Sequence, residues 1–333
     1  FGTSCAIIKN YDILSTIYQS TNGNDWTTKN NWMSNIDPCD IGGGVPWYGV
    51  NCSFPTSASS SNIIELILSD NNMIGTIPSQ ICQLSLLQTI DFSTNKLSNT
   101  LPTQLGSLSH LMNGFQFQSN SLTGSIPSQF GQLIKLTSDF LVYSNQFESM
   151  LPSQLGQLVS MTSNFEIYFN SFTGVLPSQL GLMSSLETRF LFQQNRFSSR
   201  LPSQLGQLTS MTSLLSLRTN SFSGTLPSEL GRLSLFVSLF LIYSNQINGY
   251  LPSEMGQMTA LVSDLLISVN SFSGAVPSQI GQLSKFTSTL YCHINHFNGS
   301  IPSELGHLTG LSSGISFRNN YLSMSIPSEL GRL

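Results

Sequence analysis

Eleven prolines stand at an almost constant step through this 333-residue chain: Pro78, Pro102, Pro127, Pro152, Pro177, Pro202, Pro227, Pro252, Pro277, Pro302 and Pro327. The first step is 24 residues and the others are 25. Seven residues before each proline stands an asparagine: Asn71, Asn95, Asn120, Asn145, Asn170, Asn195, Asn220, Asn245, Asn270, Asn295 and Asn320. A unit this short cannot bury an apolar face by itself, so successive units must stack and share one continuous core. The period therefore excludes a string of independent globular domains.

Before each asparagine the chain reads apolar-x-apolar-x-x-Asn, as in Leu66-Ile67-Leu68-Ser69-Asp70-Asn71 and Leu215-Ser216-Leu217-Arg218-Thr219-Asn220. Alternation with period two predicts one short strand per turn with its apolar members inward, and stacking these strands gives a parallel sheet. After each asparagine, x-Phe or x-Leu (Phe147, Phe172, Phe197, Phe222, Phe272, Phe297, Leu322) predicts a second buried column. An asparagine amide both donates and accepts, so a column of them can satisfy backbone groups where the chain leaves the sheet. The Pro-Ser-Gln/Glu-Leu-Gly return has no room for a helix of ten residues and predicts short 3₁₀ turns. At about 4.8 Å per strand, eleven turns would make a curved solenoid roughly 50 Å along its sheet.

Charged residues are 8% of the chain and the formal net charge is −4, with Ser, Thr, Asn and Gln filling solvent positions. An average soluble domain carries about 25% charge. No basic stripe exists to neutralise phosphates or to dock on anionic lipid, which argues against nucleic-acid and membrane-surface partners. No apolar run approaches the length of a membrane span. The chain opens on Phe1 without a leader, which reads as a processed or truncated product.

Cys5, Cys39, Cys52 and Cys82 crowd the N-terminal end and imply a disulfide-stapled cap in an oxidising, extracellular compartment. Cys39 with Cys52 is the favoured pair and Cys5 with Cys82 the weaker one, since spacing alone does not fix connectivity. The sequons at Asn51 and Asn298 agree with that compartment and are candidate glycosylation sites.

These residues carry a family resemblance. The stretch Leu84-Ser-Leu-Leu87-Gln-Thr-Ile90-Asp-Phe92-Ser-Thr-Asn95-Lys-Leu97 resembles the plant-type leucine-rich repeat LxxLxxLxLxxNxLxGxIPxxLG. The segment before it resembles that family's N-terminal cap, with an amphipathic helix around Tyr11 to Tyr18, then Trp26, Trp32, Cys39, Trp47 and Cys52. The resemblance implies a cap over 1–62, including one helix, and a leucine-rich-repeat solenoid over 63–333, its parallel sheet on the concave face and its 3₁₀ turns and loops on the convex face. From the third turn each repeat has one extra residue, LxxMxxxLxLxxN, which predicts a bulge and looks closer to algal members. The chain also stops in mid-repeat at Leu333 without a closing cysteine motif, so a C-terminal cap is expected to be absent from it and further chain to follow.

The letters that vary lie on the solvent side of the strands. Leu141, Leu191, Leu241, Leu266 and Tyr291 form an apolar row there, with Tyr143, Tyr168, Arg218, Tyr243 and Arg318 beside it. An exposed row of this kind marks a contact face, and superhelical burial of part of it is the structural alternative. Leu141, Leu191 and Leu241 recur every 50 residues, as do Tyr143 and Tyr243 after 100, which recent duplication of a two-repeat unit explains.

Catalysis finds no support. His110, His293, His296 and His307 are scattered, strand alternation puts Cys292 and His293 on opposite faces, and no nucleophile, phosphate-loop or zinc motif is present. No cofactor or metal is implied. The resemblance implies non-enzymatic extracellular recognition, as in receptor ectodomains or polygalacturonase-inhibitor-like proteins, with a protein, peptide or polysaccharide ligand on the concave face. The alternative is a structural subunit that self-associates into a fibre or sheath by solenoid stacking.

Overall fold

The computed structural model describes residues 10–39, 45–53 and 62–333. They divide into two compact units, Phe1–Met161 and Thr162–Leu333.

The first unit begins with the cap. Helix Asn10–Ser20 buries Ile13, Leu14 and Ile17, and behind it Trp26, Trp32 and Trp47 pack with Tyr18 and Tyr11 at ring separations between 4.7 and 5.9 Å. The indole N–H groups of these tryptophans all donate to backbone carbonyls, those of Thr21, Tyr48 and Ile36. The Cys39–Cys52 disulfide forms as expected. Cys82 is disulfide-bonded, and Cys5, its candidate partner, lies outside the described residues. The cap is tied to the repeats at Asn71, which accepts from Thr28 N–H at 2.6 Å and donates to Thr28 O at 2.9 Å.

Strand Val50–Ser53 runs antiparallel to Asn62–Ile67, and the strands Thr89–Asp91, Gly114–Gln116 and Asp139–Leu141 continue that first sheet in parallel. The second unit repeats the arrangement with seven strands, from Phe165–Glu166 to Gly314–Ser316. Inward residues of these strands, such as Leu66, Leu68, Leu215 and Leu217, are buried as the alternation requires.

A second parallel sheet is present that the sequence reading described only as a buried column. Its members are Ile74–Gly75, Lys96–Asn99, Ser121–Gly124 and Gln146–Ser149 in the first unit and seven strands from Ser171–Gly174 to Tyr321–Leu322 in the second. Leu97, Phe147, Phe172 and Phe222 point into the core from it. Five-residue 3₁₀ helices, Ser79–Gln83 through Ser328–Arg332, close each turn, each preceded by the repeat proline in extended geometry. Where a following turn stacks on the helix glycine, close approach requires it: a Cβ at Gly206 would overlap the Glu229 carbonyl of the next turn.

The asparagine column works as a hydrogen-bond ladder. Asn95 Oδ1 accepts from the N–H groups of Asn71 and Met73, and its Nδ2 donates to the carbonyls of Leu68, Phe92 and Ser93. Asn220, Asn245, Asn270 and Asn295 repeat the pattern in the second unit. The residue before each asparagine is in the left-handed region, with φ between 51° and 57° from Asp70 to Asn319. The extra residue of the longer repeats appears as the expected bulge. Met112 and Asn113 both donate to Gln88 O at 3.0 Å, and Val262 and Ser263 both donate to Val237 O.

Candidate recognition surface

The solvent side of the first sheet is built by strand register. In the Thr162–Leu333 unit, Glu166, Leu191, Ser216, Leu241, Leu266, Tyr291 and Ser316 stand opposite one another on neighbouring strands. Two residues further along each strand come Tyr168, Gln193, Arg218, Tyr243, Ser268, His293 and Arg318. Side chains two apart on a strand share a face, so the two rows form one surface.

The surface is less apolar than the sequence suggests. Leu191 is only 4% exposed. It is flanked in register by Glu166 and Ser216 and along its own strand by Arg189 and Gln193, and strands about 4.8 Å apart leave no gap above a leucine so surrounded. Leu141, which belongs to the first unit with Tyr143, is 9% exposed beside Gln116 for the same reason. Leu241 and Leu266 are half-buried and Tyr291 is exposed, so the apolar row is interrupted rather than continuous. Tyr143, Tyr168, Arg218 and Tyr243 are half-buried and Arg318 is exposed.

What the register concentrates instead is polar chemistry. Arg218 Nη1 donates to Tyr243 Oη at 2.8 Å, and its guanidinium carbon lies 5.4 Å from the centre of that ring. The adjoining buried polar atoms Gln193 Oε1 and Ser216 Oγ have no hydrogen-bond partner, and Ser216 is only 1% exposed. Glu166 is buried and ion-pairs with Arg189 at 3.3 Å. At the other end of the rows, Tyr291 and His293 meet edge to face at 5.3 Å. Burial and the neighbouring Arg318 charge lower the His293 pKa below the usual 6.5, and its Nδ1 is buried without a partner.

Cys292 points into the core from the same strand, where burial pushes its thiol far up and keeps it protonated. The strand thus separates Cys292 from His293. Among the described residues no cluster of metal-ligating side chains occurs, and no helix is long and apolar enough to cross a membrane. Asn51 and Asn298 of the sequons are both exposed, and Asn51 Nδ2 donates to Glu65 Oε2 at 2.7 Å.

Sequence reasoning passed over Val269 and Ile294, two exposed β-branched residues held at φ 55° and 54° where the chain leaves the first sheet. Their place directly before a ladder asparagine was the available signal, since that position is left-handed in every turn.

Residues 62–84 match the Leucine Rich Repeat family. An Arabidopsis thaliana protein described as a probable leucine-rich repeat receptor-like protein kinase is 31% identical over 90 residues, covering 24% of this chain and 9% of the relative. Among solved structures, the PEPR1–AtPEP1 crystal structure superposes with a TM-score of 0.78 at 26% identity, covering 97% of this chain and 47% of that one. The plant peptide hormone receptor RGFR1 in complex with RGF2 gives 0.68 at 27% identity, covering 81% and 46%. This chain thus spans less than half of either solved relative and under a tenth of the kinase. With its stacked turns, its asparagine ladders and its disulfide-stapled cap, the chain has the leucine-rich-repeat solenoid fold and is similar to plant receptor structures of that fold.

Proposed function

We propose that the chain is a non-enzymatic recognition module that works outside the cell, and that the first-sheet face of its Thr162–Leu333 unit binds an extended peptide or protein segment. The observation that carries the reading is the Arg218–Tyr243 pair on that face. A guanidinium held in place by a phenol loses little freedom when it engages a carboxylate or carbonyl. The face therefore offers a positioned cationic donor to a carboxylate or carbonyl of an extended segment. The likeness to plant receptor structures, one of them a peptide hormone receptor with its ligand, and the cap disulfide support the same class and compartment.

The test is a synthetic peptide array probed with the full chain, followed by titration of the strongest binder against wild type, Arg218→Ala and Tyr243→Phe. Loss of Arg218 should weaken binding at least tenfold, about 1.4 kcal/mol or more. Equal affinity for all three proteins would remove this surface from consideration, and light scattering on the same samples tests self-association directly.

A further inference from the structure

Between the second sheet and the 3₁₀ layer each turn passes through the sequence x-apolar-Pro-Ser-Glu/Gln. Over four turns, from Tyr250 to Pro327, this passage opens into a groove of about 1000 Å³. The first sheet contributes no residue to it. Its shape follows from the residue at the x position. Tyr250 stands 73% exposed as one wall with its ring edge resting on Gly274, where a Cβ would overlap the ring. The next two turns place only Ala275 and Ser300 there, so the floor drops behind the tyrosine. Along that floor run Pro252, Pro277 and Pro302, which contribute no N–H of their own.

Its charge is one-sided. Glu254 and Glu304 line the groove and no lysine or arginine does. Each carboxylate receives only the hydroxyl of the serine before it, at 3.2 and 3.3 Å, and neither is ion-paired. A smaller groove of about 410 Å³ at the same place two turns earlier makes the contrast. There Arg200 occupies the position of Tyr250 and lines the groove together with Glu229, so that site carries its own cation. The larger groove has an aromatic ring in place of that cation, and two carboxylates where the smaller groove has one.

We propose that this groove is a second binding site, for an extended segment of a partner protein that carries two basic residues three positions apart. Turns repeat at about 4.8 Å, so the two carboxylates, two turns apart, are separated by about 10 Å. A segment in polyproline II geometry has three residues per turn and rises about 3.1 Å per residue, so basic residues three apart share a face and cover that span. Tyr250 supplies a ring face for a cation that approaches Glu254. The two carboxylates give the site a salt-sensitive attraction for cations, opposite in sign to that of Arg218 on the first-sheet face.

The experiment uses the full chain and two fluorescein-labelled peptides, acetyl-Arg-Ser-Gly-Arg-amide and acetyl-Gln-Ser-Gly-Gln-amide, read by anisotropy at 50 and 300 mM salt. The arginine peptide should bind at least tenfold more tightly than the glutamine peptide at low salt, and lose most of that advantage at high salt. The Glu254→Gln/Glu304→Gln pair keeps side-chain shape at exposed or half-exposed positions and should abolish the preference. Arg218→Ala should leave it unchanged, which separates failure of this site from failure of the first-sheet reading. Equal binding of the two peptides, no binding of either, or an arginine preference that survives the double glutamine variant would each overturn the proposal.

Discussion

Asn245 offers a direct test of how the ladder holds the turns together. Its Oδ1 accepts from Phe222 N–H at 3.1 Å, and its Nδ2 donates to the carbonyls of Leu217 at 3.1 Å, Ile242 at 3.0 Å and, more weakly, Tyr243 at 3.4 Å. The Leu217 carbonyl also receives Asn220, and the Ile242 carbonyl also receives Asn270. Truncation in Asn245→Ala therefore orphans one buried N–H, at about 1–3 kcal/mol, and leaves two carbonyls with one donor instead of two, at about 0.5–1.5 kcal/mol each. The sum is about 2–6 kcal/mol. Asn245→Asp separates this account from simple loss of volume. The aspartate can still accept from Phe222, but its second oxygen would face carbonyl oxygens unless it takes a proton. The folded chain therefore raises its pKa above the unfolded value of about 3.9. Stability is then fully present below about pH 4 and is lost as pH rises towards the folded pKa, by at most about 1.4 kcal/mol per pH unit. Urea unfolding followed by circular dichroism from pH 4 to 7 should show a deficit relative to wild type that grows with pH for Asn245→Asp and stays constant for Asn245→Ala. Two variants within 0.5 kcal/mol of wild type, or an aspartate variant with no pH dependence, would refute the reasoning.

Gly206→Ala should cost about 1–3 kcal/mol in the same assay, because the new methyl meets the backbone carbonyl of Glu229, which cannot swing aside as a side chain would. His293 should titrate below its usual 6.5 in an NMR experiment, and Arg318→Gln should move the midpoint upward by removing the second cause of the shift. Since its folded pKa is lowered, the unfolded chain binds the proton more readily, and stability should fall as pH drops from about 6.5 towards the folded value. His293→Gln should remove that slope. Cys292, buried and protonated, should resist maleimide labelling in the native chain and react once urea unfolds the protein, as peptide mapping would show.

Much of the scaffold was legible because each repeat states its own constraints. Alternation around Leu215 and Leu217 placed the first-sheet strands, the proline fixed the 3₁₀ returns, and the extra residue before Gly114 predicted the bulge at Gln88. The second sheet was missed because its strands, such as Ser171–Gly174 with Phe172 alone, have too few apolar residues to show a period of two. The site was harder to read. Leu191 looked exposed from its alternation alone, and its burial depends on Glu166 and Ser216 from other turns, which no single repeat reveals. The Tyr250 groove depends in the same way on small residues one and two turns later.

The 50-residue spacing of Leu141, Leu191 and Leu241 can now be weighed physically. A partner with a matching repeat would need these leucines to present equivalent surfaces, and they do not. Leu141 and Leu191 are closed off by their neighbours, while Leu241 is half-exposed. Tyr143 and Tyr243 recur with the same letters, and Tyr243 has acquired Arg218 as a partner from the turn before it. Identity is thus periodic where exposure is not. Duplication of a two-repeat unit accounts for the letters. The substitutions around them, Ser216 and Arg218 on one face and Tyr250 with Ala275 at the other, give the second unit its two distinct surfaces. The residues to mutate first are therefore those that break the period, Arg218 on the first-sheet face and Tyr250 in the groove.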